Sequence, residues 1–183
     1  MKNFIGINIL KYYLSKVNNL KKELGNKEII TISLRESSYL NYRNSDLESW
    51  FLTCKYLKNK GYQPIIIRDF EKTYKKKDKL NKFTLFPEAT QNINLRAAIY
   101  KVAKHNFFPD SGYFPLGLFT KSNLSRWKTD PKENETAYNN FLNGNILDKN
   151  FPNYSKFNNN VIILKNDKFN QIKKFIDNKF KIN

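Results

Sequence analysis

The sequence is poor in the residues that build metal and redox centres: it has one cysteine, Cys54, and one histidine, His105. A single cysteine excludes an internal disulfide and suits a reducing compartment, so we predict a cytoplasmic protein. The two residues are too few for the clusters that hold zinc, and we predict no metal site. Cys54 falls on the apolar face of a predicted helix with no basic group placed to lower its pKa, which indicates packing.

Long apolar runs and several well-known motifs are also missing. No window approaches the roughly 18 uninterrupted apolar residues of a membrane-spanning helix, and the N-terminus lacks a signal-peptide cleavage site. The absence of Gly-x-Gly-x-x-Gly and of a Walker motif disfavours dinucleotide oxidoreductases and P-loop enzymes. There is no Gly-x-Ser-x-Gly nucleophile elbow either.

Acidic residues are scarce, and the 183-residue chain carries a net charge of +17. The excess positive charge comes from lysines that are spread along the whole chain. Lysine and asparagine both have AT-rich codons, so an AT-rich genome produces this bias without selection for binding a polyanion. We therefore interpret most of the charge as a solvated surface that helps to attract a phosphorylated ligand. A peripheral contact of the basic N-terminal helix with an anionic membrane is the lesser alternative, and nucleic acid is a disfavoured partner.

Arginine is the rarer cation, with only Arg35, Arg43, Arg68, Arg96 and Arg126. Where lysine is the default, an arginine suggests that planar, two-pronged hydrogen bonding matters in addition to charge. Four of the five fall in segments that read as strand ends or buried helix. These residues are therefore the first candidates for binding an anionic ligand.

Two apolar runs, Ile29–Leu34 and Gln63–Arg68, read as buried strands that end in the pairs Arg35-Glu36 and Arg68-Asp69. A helix between them begins at a capping box over 45–48 and stops at Gly61. A strand, a helix and a strand of this length make a right-handed crossover with parallel strands, so both pairs should emerge at one sheet edge. The loop 36–44, which contains Arg43, is longer than the usual 2–6 residues or so and is polar, which is typical of a binding loop.

A second helix is predicted from Pro87 to about Asn106. Glu88, Asn92 and Arg96 recur every fourth residue and form a polar stripe inside its apolar arc. A buried arginine needs a partner or a ligand. The stripe is therefore either an internal network or one wall of a ligand cleft. At the end of this helix, the dipole would stabilise the protonated form of His105.

The remaining elements are weaker predictions. Phe107-Phe108 reads as a short strand that ends in a Ser111-Gly112 turn, whose free backbone N–H groups could hold phosphate. The other predicted features are a helix over 4–24, a strand over 113–119, packing of Trp127, a helix over 136–142, a strand over 161–164 and a final helix capped by Asp167. We divide the chain into an N-terminal helix (1–27), a Rossmann-like α/β core (28–120) and a C-terminal extension (121–183).

The order of these motifs resembles proteins of bacterial surface-polysaccharide loci, which are themselves similar to the nucleotide-sugar-binding (C-terminal) half of GT-B glycosyltransferases. The resemblance covers about 29–119: the two strands with their Arg-acid ends, the loop with Arg43-Asn44-Ser45, the helix with Trp50, the segment from Glu88 to Asn106, and Ser111-Gly112. It implies a single Rossmann-like domain with a mostly parallel sheet flanked by helices. The His-x-Arg-Arg-x-Asp signature of related fucosyltransferases is absent.

The resemblance also implies a ligand and the residues that hold it. By position, Arg35 and Ser111-Gly112 would hold the donor diphosphate, and Glu88 would hold the ribose or the sugar. Arg plus backbone amides can bind a diphosphate without a metal, so we expect no cofactor beyond the nucleotide-sugar donor. Arg43, Arg68, Asn92 and Arg96 are further binding candidates, and Glu36 or Asp69 would be the base.

We therefore expect a glycosyltransferase-like protein that binds a nucleotide-sugar for cell-surface glycan synthesis. A complete GT-B enzyme has two Rossmann-like domains, so a second domain or subunit is expected to complete the cleft. Two alternatives stay open: a non-catalytic basic module for nucleic acid or anionic glycan, and a partner subunit that supplies half of an active site. The sequence does not decide whether the chain itself is an enzyme.

Overall fold

The computed structural model describes residues 7–39, 41–74, 78–109, 111–127, 161–162 and 166–181. The helices are α1 (Lys11–Glu23), α2 (Leu47–Asn59), α3 (Glu88–Gln91), α4 (Ile93–Val102), α5 (Phe114–Phe119) and α6 (Phe169–Phe180). The strands are β1 (Ile29–Ser33), β2 (Gln63–Ile67), β3 (Thr84–Leu85), β4 (His105–Phe108), β5 (Leu124–Arg126) and β6 (Val161–Ile162). Short 3-10 turns cover Asn41–Arg43, Phe70–Lys72 and Lys79–Lys82.

Among the described residues, the six strands form one sheet in the order β3-β2-β1-β4-β5-β6. All five pairings are parallel, and β1 pairs with β2 on one side and with β4 on the other. The predicted Rossmann-like, parallel α/β fold is confirmed. Because the strands are parallel, their carboxyl ends share one edge, which we call the carboxyl edge. The two strands of the predicted C-terminal extension belong to this same sheet.

Helices cover both faces of the sheet, as expected for strands that read as continuous apolar runs. One core lies between the sheet and α1, α4 and α5, and it contains Ile29, Ile65 and Phe108. The other lies against α2 and α6, and it contains Ile30 and Ile32. Alternate residues of β1 therefore point into different cores, and all five are buried.

The start of α2 differs from the predicted capping box. Asp46 is the N-cap residue, and its side chain accepts a hydrogen bond from the Ser49 backbone N–H. Ser45 instead binds the end of β1: its hydroxyl accepts from the Arg35 N–H at 3.0 Å. The end of the helix is as predicted, because Gly61 follows the last turn with a φ of 85°.

The single helix predicted from Pro87 to Asn106 is wrong. The chain breaks at Asn92, which leaves helical geometry (φ −115°, ψ 105°) and caps α4 by accepting from the Leu95 N–H. The helix ends at Val102, and His105 belongs to β4. His105 is fully buried, and burial with Lys179 nearby lowers its pKa to about 3, so the expected dipole-stabilised cation is not formed.

The segment 113–119, predicted as a strand, forms helix α5. Pro115 occupies the first turn, where it needs no hydrogen-bonded N–H. Gly117 lets the helix approach β4 closely: a Cβ there would lie 2.7 Å from Cζ of Phe108. Phe114 and Leu116 of this helix are buried in the core beside the sheet, whereas Phe119 is exposed.

The ends of the chain also show differences. Residues 7–10 are not helical, and the Ile7 N–H donates to the Phe119 carbonyl, so α1 begins later than predicted. Asp167 does not cap α6; it accepts from the Asp46 N–H and from Nε1 of Trp50 instead. The predicted helix over 136–142 lies outside the described residues. None of the described helices has the length and apolar character required to cross a membrane.

Candidate functional site

The sheet reverses its winding direction between β1 and β4. The chain proceeds outward from β1 to β3 and then returns to place β4 on the other side of β1. Open parallel sheets of this kind bind ligands in the crevice outside the carboxyl ends of the strands at this switch point. Arg35 and Glu36 follow β1 at this edge, and Ser111 and Gly112 follow β4.

Arg68, which follows β2, is the centre of a buried ion cluster. Its Nε donates to Glu36 at 2.8 Å, its Nη2 donates to the other Glu36 oxygen, and Nη2 also donates to Asp78 at 2.9 Å. The side chains of Arg68, Glu36 and Asp78 are 2%, 7% and 10% exposed. The Glu36 hydrogen bonds raise the pKa of Arg68. Both Glu36 oxygens are thus occupied, and the cluster ties the ends of β1 and β2 together.

Asp69 supports the same junction from the other side. Its Oδ2 accepts from the Glu36 backbone N–H at 2.7 Å, and its carbonyl accepts from the Thr73 hydroxyl. The two strand-end pairs that the sequence singled out therefore do meet, as predicted. Both oxygens of Glu36 bond Arg68, whereas Oδ2 of Asp69 accepts from a backbone N–H.

Arg35 binds its own loop. Its guanidinium Nη2 donates to the Tyr39 carbonyl, whereas its Nε is buried without a hydrogen-bond partner. The loop is braced further by Asn44, whose side chain bonds the Ser37 N–H at 3.0 Å and the Ser37 carbonyl at 2.8 Å. The long polar loop that follows β1 is thus bonded internally at several points, with Arg35 at its base. Arg43 lies in the 3-10 turn of this loop and is half-buried.

Arg96 is buried on α4, with 2% of its surface exposed. Its Nε donates to the Ala89 carbonyl at 2.6 Å, and its guanidinium carbon stacks 3.5 Å from the ring centroid of Tyr113. Its Nη1 is buried without a hydrogen-bond partner. The helix break at Asn92 separates it from Glu88, whose side chain is exposed. The predicted Glu88–Asn92–Arg96 stripe is therefore not continuous: Asn92 caps a helix, and no ion pair joins Glu88 and Arg96 in the described structure.

The turn after β4 carries the predicted Ser111 and Gly112. The Ser111 N–H donates to the Pro109 carbonyl, and the Ser111 carbonyl accepts from the Phe114 N–H, which closes the turn before α5. The Ser111 hydroxyl is buried and has no hydrogen-bond partner. Gly112 is exposed, with open space where a Cβ would lie.

Residues that the sequence did not single out complete the edge. Asp78 is the only acid between Lys72 and Lys82, and this isolation is the signal that could have marked it. Tyr113 covers Arg96, and the Tyr100 hydroxyl is 2.8 Å from the Ser33 hydroxyl at the end of β1. Burial raises the pKa of Tyr100 to about 12. Over the part of the chain that is described, no group of three or more His, Cys, Asp or Glu residues could hold a metal ion.

Several solved structures with a similar fold are glycosyltransferases. No family model matches the chain, and no curated protein matches its sequence. The structure is similar to a family 9 glycosyl transferase from Veillonella parvula, with a TM-score of 0.61 and 11% identity over 97% of this chain and 46% of that one. It is also similar to the E. coli heptosyltransferase WaaC with ADP-2-deoxy-2-fluoro heptose, with a TM-score of 0.55 and 13% identity over 84% of this chain and 44% of that one.

A third similar structure is itself a single domain. It is the C-terminal CMP-Kdo binding domain of WaaA from Acinetobacter baumannii, with a TM-score of 0.51 and 11% identity over 91% of this chain and 88% of that one. The chain thus has the Rossmann-like fold of one half of a GT-B glycosyltransferase. It spans less than half the length of the two transferases above.

Proposed function

We propose that this protein binds a nucleotide-sugar in the switch-point crevice and acts in cell-surface glycan synthesis. The observation that carries the proposal is a set of buried donors without a hydrogen-bond partner on the segments around this crevice: Nε of Arg35, Nη1 of Arg68, Nη1 of Arg96 and the hydroxyl of Ser111. Guanidinium and hydroxyl donors suit a diphosphate without a metal ion. The similarity to one half of several GT-B transferases supports the same ligand class.

The predicted residues take different roles in this proposal. Arg35 and the Ser111-Gly112 turn hold the diphosphate at the ends of β1 and β4. Arg68 fixes the strand ends through Glu36 and Asp78, and its unpartnered Nη1 is a further donor at this edge. Glu88, exposed at the start of α3, is left for the ribose or the sugar. Asp69 is the candidate base if the assembled protein is catalytic.

Isothermal titration calorimetry with a panel of nucleoside-diphosphate and nucleoside-monophosphate sugars tests this proposal. We expect one of them to bind, and we expect Arg35→Ala to weaken that binding at least about tenfold, because a charge-assisted hydrogen bond contributes roughly 1.5–3 kcal/mol. Lys58→Ala is the matched control, since it removes an exposed cation from the last turn of α2, away from the carboxyl edge. Failure of every nucleotide-sugar to bind, or unchanged binding by Arg35→Ala, overturns the assignment.

A second role, as the partner subunit of a two-part cleft, is favoured by the surface around the carboxyl edge. Five of the nine exposed large apolar side chains of the described chain lie in segments that begin there: Tyr39, Tyr42, Phe70, Tyr74 and Ile93. Such rims mark interaction sites when they are contiguous. We propose that a second Rossmann-like domain or subunit covers this rim; a double substitution Phe70→Ser/Tyr74→Ser should abolish co-purification with that partner while leaving the unfolding midpoint unchanged.

A further inference from the structure

A buried arginine without a carboxylate is the least expected feature of the molecule. Within the described chain, ion pairs employ Arg68 and several lysines, but none includes Arg96. A guanidinium taken out of water without a counter-charge is costly. Its contacts are the Ala89 carbonyl, the face of the Tyr113 ring and the Tyr100 hydroxyl, and none of these is a carboxylate. The site therefore retains an unused capacity to bind an anion.

The position of Arg96 tells where that anion would enter. Tyr113, which stacks on the guanidinium, belongs to the turn that joins β4 to α5 at the switch point. The same turn holds Ser111, whose buried hydroxyl also lacks a partner. Ser111, with its unpartnered hydroxyl, is therefore only two residues from Tyr113, whose ring covers the guanidinium of Arg96.

The Tyr113 cover packs at the edge of the core. Tyr113 is half-buried, and its neighbour Gly112 is exposed, with no atom within 4 Å of the point where a Cβ would lie. A cation–π stack satisfies a guanidinium less well than an ion pair does, because it uses the ring quadrupole in place of a full negative charge. An arriving phosphoryl group can therefore replace the ring.

We propose that Arg96 and Ser111 form a phosphate-binding pocket that Tyr113 covers until a phosphorylated ligand displaces its ring. The pocket deepens the proposed function, on whose crevice it rests, by naming where a phosphoryl group of the donor is held. In the bound state, Nη1 of Arg96 and the Ser111 hydroxyl both donate to phosphate oxygens. The Arg96–Ala89 hydrogen bond remains and fixes the guanidinium plane.

The test measures thermal unfolding of the full chain with and without inorganic pyrophosphate at constant ionic strength. We expect pyrophosphate to raise the unfolding midpoint of the wild type. Arg96→Met keeps most of the side-chain volume and removes the buried charge, at the cost of the hydrogen bond to the Ala89 carbonyl, so the apo protein should stay folded while its gain from pyrophosphate vanishes. Lys101→Met removes an exposed cation from the same helix and should keep the full gain.

Two more variants keep the test decisive. Arg96→Lys retains the charge without the planar fork, and it should bind pyrophosphate at least about fivefold more weakly even if Arg96→Met fails to fold. Tyr113→Ala removes the cover and should bind several-fold more tightly, because no ring has to be displaced. Equal gains in the wild type and Arg96→Lys, or no gain in the wild type, overturn the pocket.

The outcome is separable from the proposed function. Nucleotide-sugar binding in calorimetry without any pyrophosphate effect overturns the pocket and leaves the proposed function standing. A pyrophosphate gain that depends on Arg96, without binding of any nucleotide-sugar, supports the pocket and overturns the proposed ligand.

Discussion

At the scale of single residues, the geometry of the carboxyl edge depends on the ion pairs that Arg68 makes. Two carboxylates, Glu36 and Asp78, bond one guanidinium in a nearly dry environment. Such clusters contribute little net stability compared with apolar packing, but removing one member leaves uncompensated buried charge. The cluster therefore acts mainly as a positioning device that fixes the ends of β1 and β2.

We expect Arg68→Met to lower the free energy of unfolding by about 3–5 kcal/mol, because the buried Glu36 then loses the cation that both of its oxygens bond. The double variant Arg68→Met/Glu36→Met should recover part of this loss, since it also removes the orphaned carboxylate. Urea denaturation of the single and double variants measures both effects. A double variant that is less stable than the single one would contradict this account.

His105 makes stability depend on pH. Its pKa is about 3 in the folded protein and 6.5 in an unfolded chain. Below pH 6.5 His105 therefore binds a proton in the unfolded chain but stays neutral in the folded protein. As a result, the free energy of unfolding falls as the pH decreases toward 3. Nε2 of His105 lies 3.1 Å from the Ser125 hydroxyl, and this hydrogen bond is compatible with a neutral imidazole.

Between pH 7 and pH 5 we expect a loss of roughly 2 kcal/mol that is attributable to His105, at about 1.4 kcal/mol per pH unit below its unfolded pKa. Urea denaturation at several pH values measures this slope, and His105→Gln, which cannot titrate, is the reference. Because the chain has one histidine, its imidazole NMR signals can be followed without ambiguity. A titration midpoint near 6.5 in the folded protein would contradict the prediction.

At the scale of elements, α2 and α6 cap one another across the sheet surface. Asp167, just before α6, accepts from the Asp46 N–H at the start of α2 and from Nε1 of Trp50. In return, the Ser49 hydroxyl of α2 accepts from the Phe169 N–H at the start of α6. Each helix thus supplies a polar side chain for the orphan N–H groups of the other.

Asp167→Ala should cost roughly 3 kcal/mol of unfolding free energy, because it leaves the buried indole N–H of Trp50 without an acceptor and removes a charged cap. Lys168→Ala is the matched control: the lysine side chain is 65% exposed and its pairing with Asp46 is worth at most about 1 kcal/mol. Chemical denaturation followed by Trp fluorescence measures both. Equal effects of the two substitutions would contradict reciprocal capping.

Gly117 is the other element-scale constraint, since α5 rests directly on β4. Gly117→Ala would place a methyl group 2.7 Å from the Phe108 ring, which is itself held by Tyr100 at a centroid distance of 4.8 Å. We expect a loss of about 1–3 kcal/mol from overpacking. Gly112→Ala, where the space is open, should be close to neutral, and calorimetric melting of both variants provides the comparison.

These elements also explain what the sequence can and cannot predict. The strands β1 and β2 and helix α2 follow from β-branched runs and helical spacing, so the centre of the fold is predictable. The apolar pattern of α4 runs on into β4 without a break, so periodicity alone does not reveal that His105 starts a strand. Asn92 reads as a helix-interior residue because its capping role depends on local backbone geometry. The partner of Arg68, Asp78, is brought in by folding of a lysine-rich loop.

At the scale of the whole molecule, the net charge of +17 makes it necessary to distinguish non-specific polyanion binding from binding in a specific site, and the two differ in their dependence on salt. A basic module binds any polyanion by counterion release, so its affinity for heparin or single-stranded DNA falls steeply with salt. A structured crevice binds a nucleotide-sugar through a few defined contacts. Between 50 and 200 mM salt, we expect nucleotide-sugar affinity to change by less than about tenfold, whereas polyanion affinity should fall about a thousandfold if several phosphates are contacted. Fluorescence anisotropy titrations at both salt concentrations measure the two slopes, and equally steep slopes would favour the basic module.

The placement of β1 has a consequence for how the protein is made. This strand lies between β2 and β4, and the residue that pairs with Thr31 on the β4 side, Asn106, lies 75 residues further along the chain. At a synthesis rate of roughly 5–20 residues per second, one side of β1 stays unpaired for about 4–15 s after the strand leaves the ribosome. During that interval the backbone edge of a strand whose five residues are all buried in the final fold is open to wrong pairing. Nascent chains stalled between β3 and β4 should therefore be bound by chaperones, and chains stalled well beyond β5 should be released.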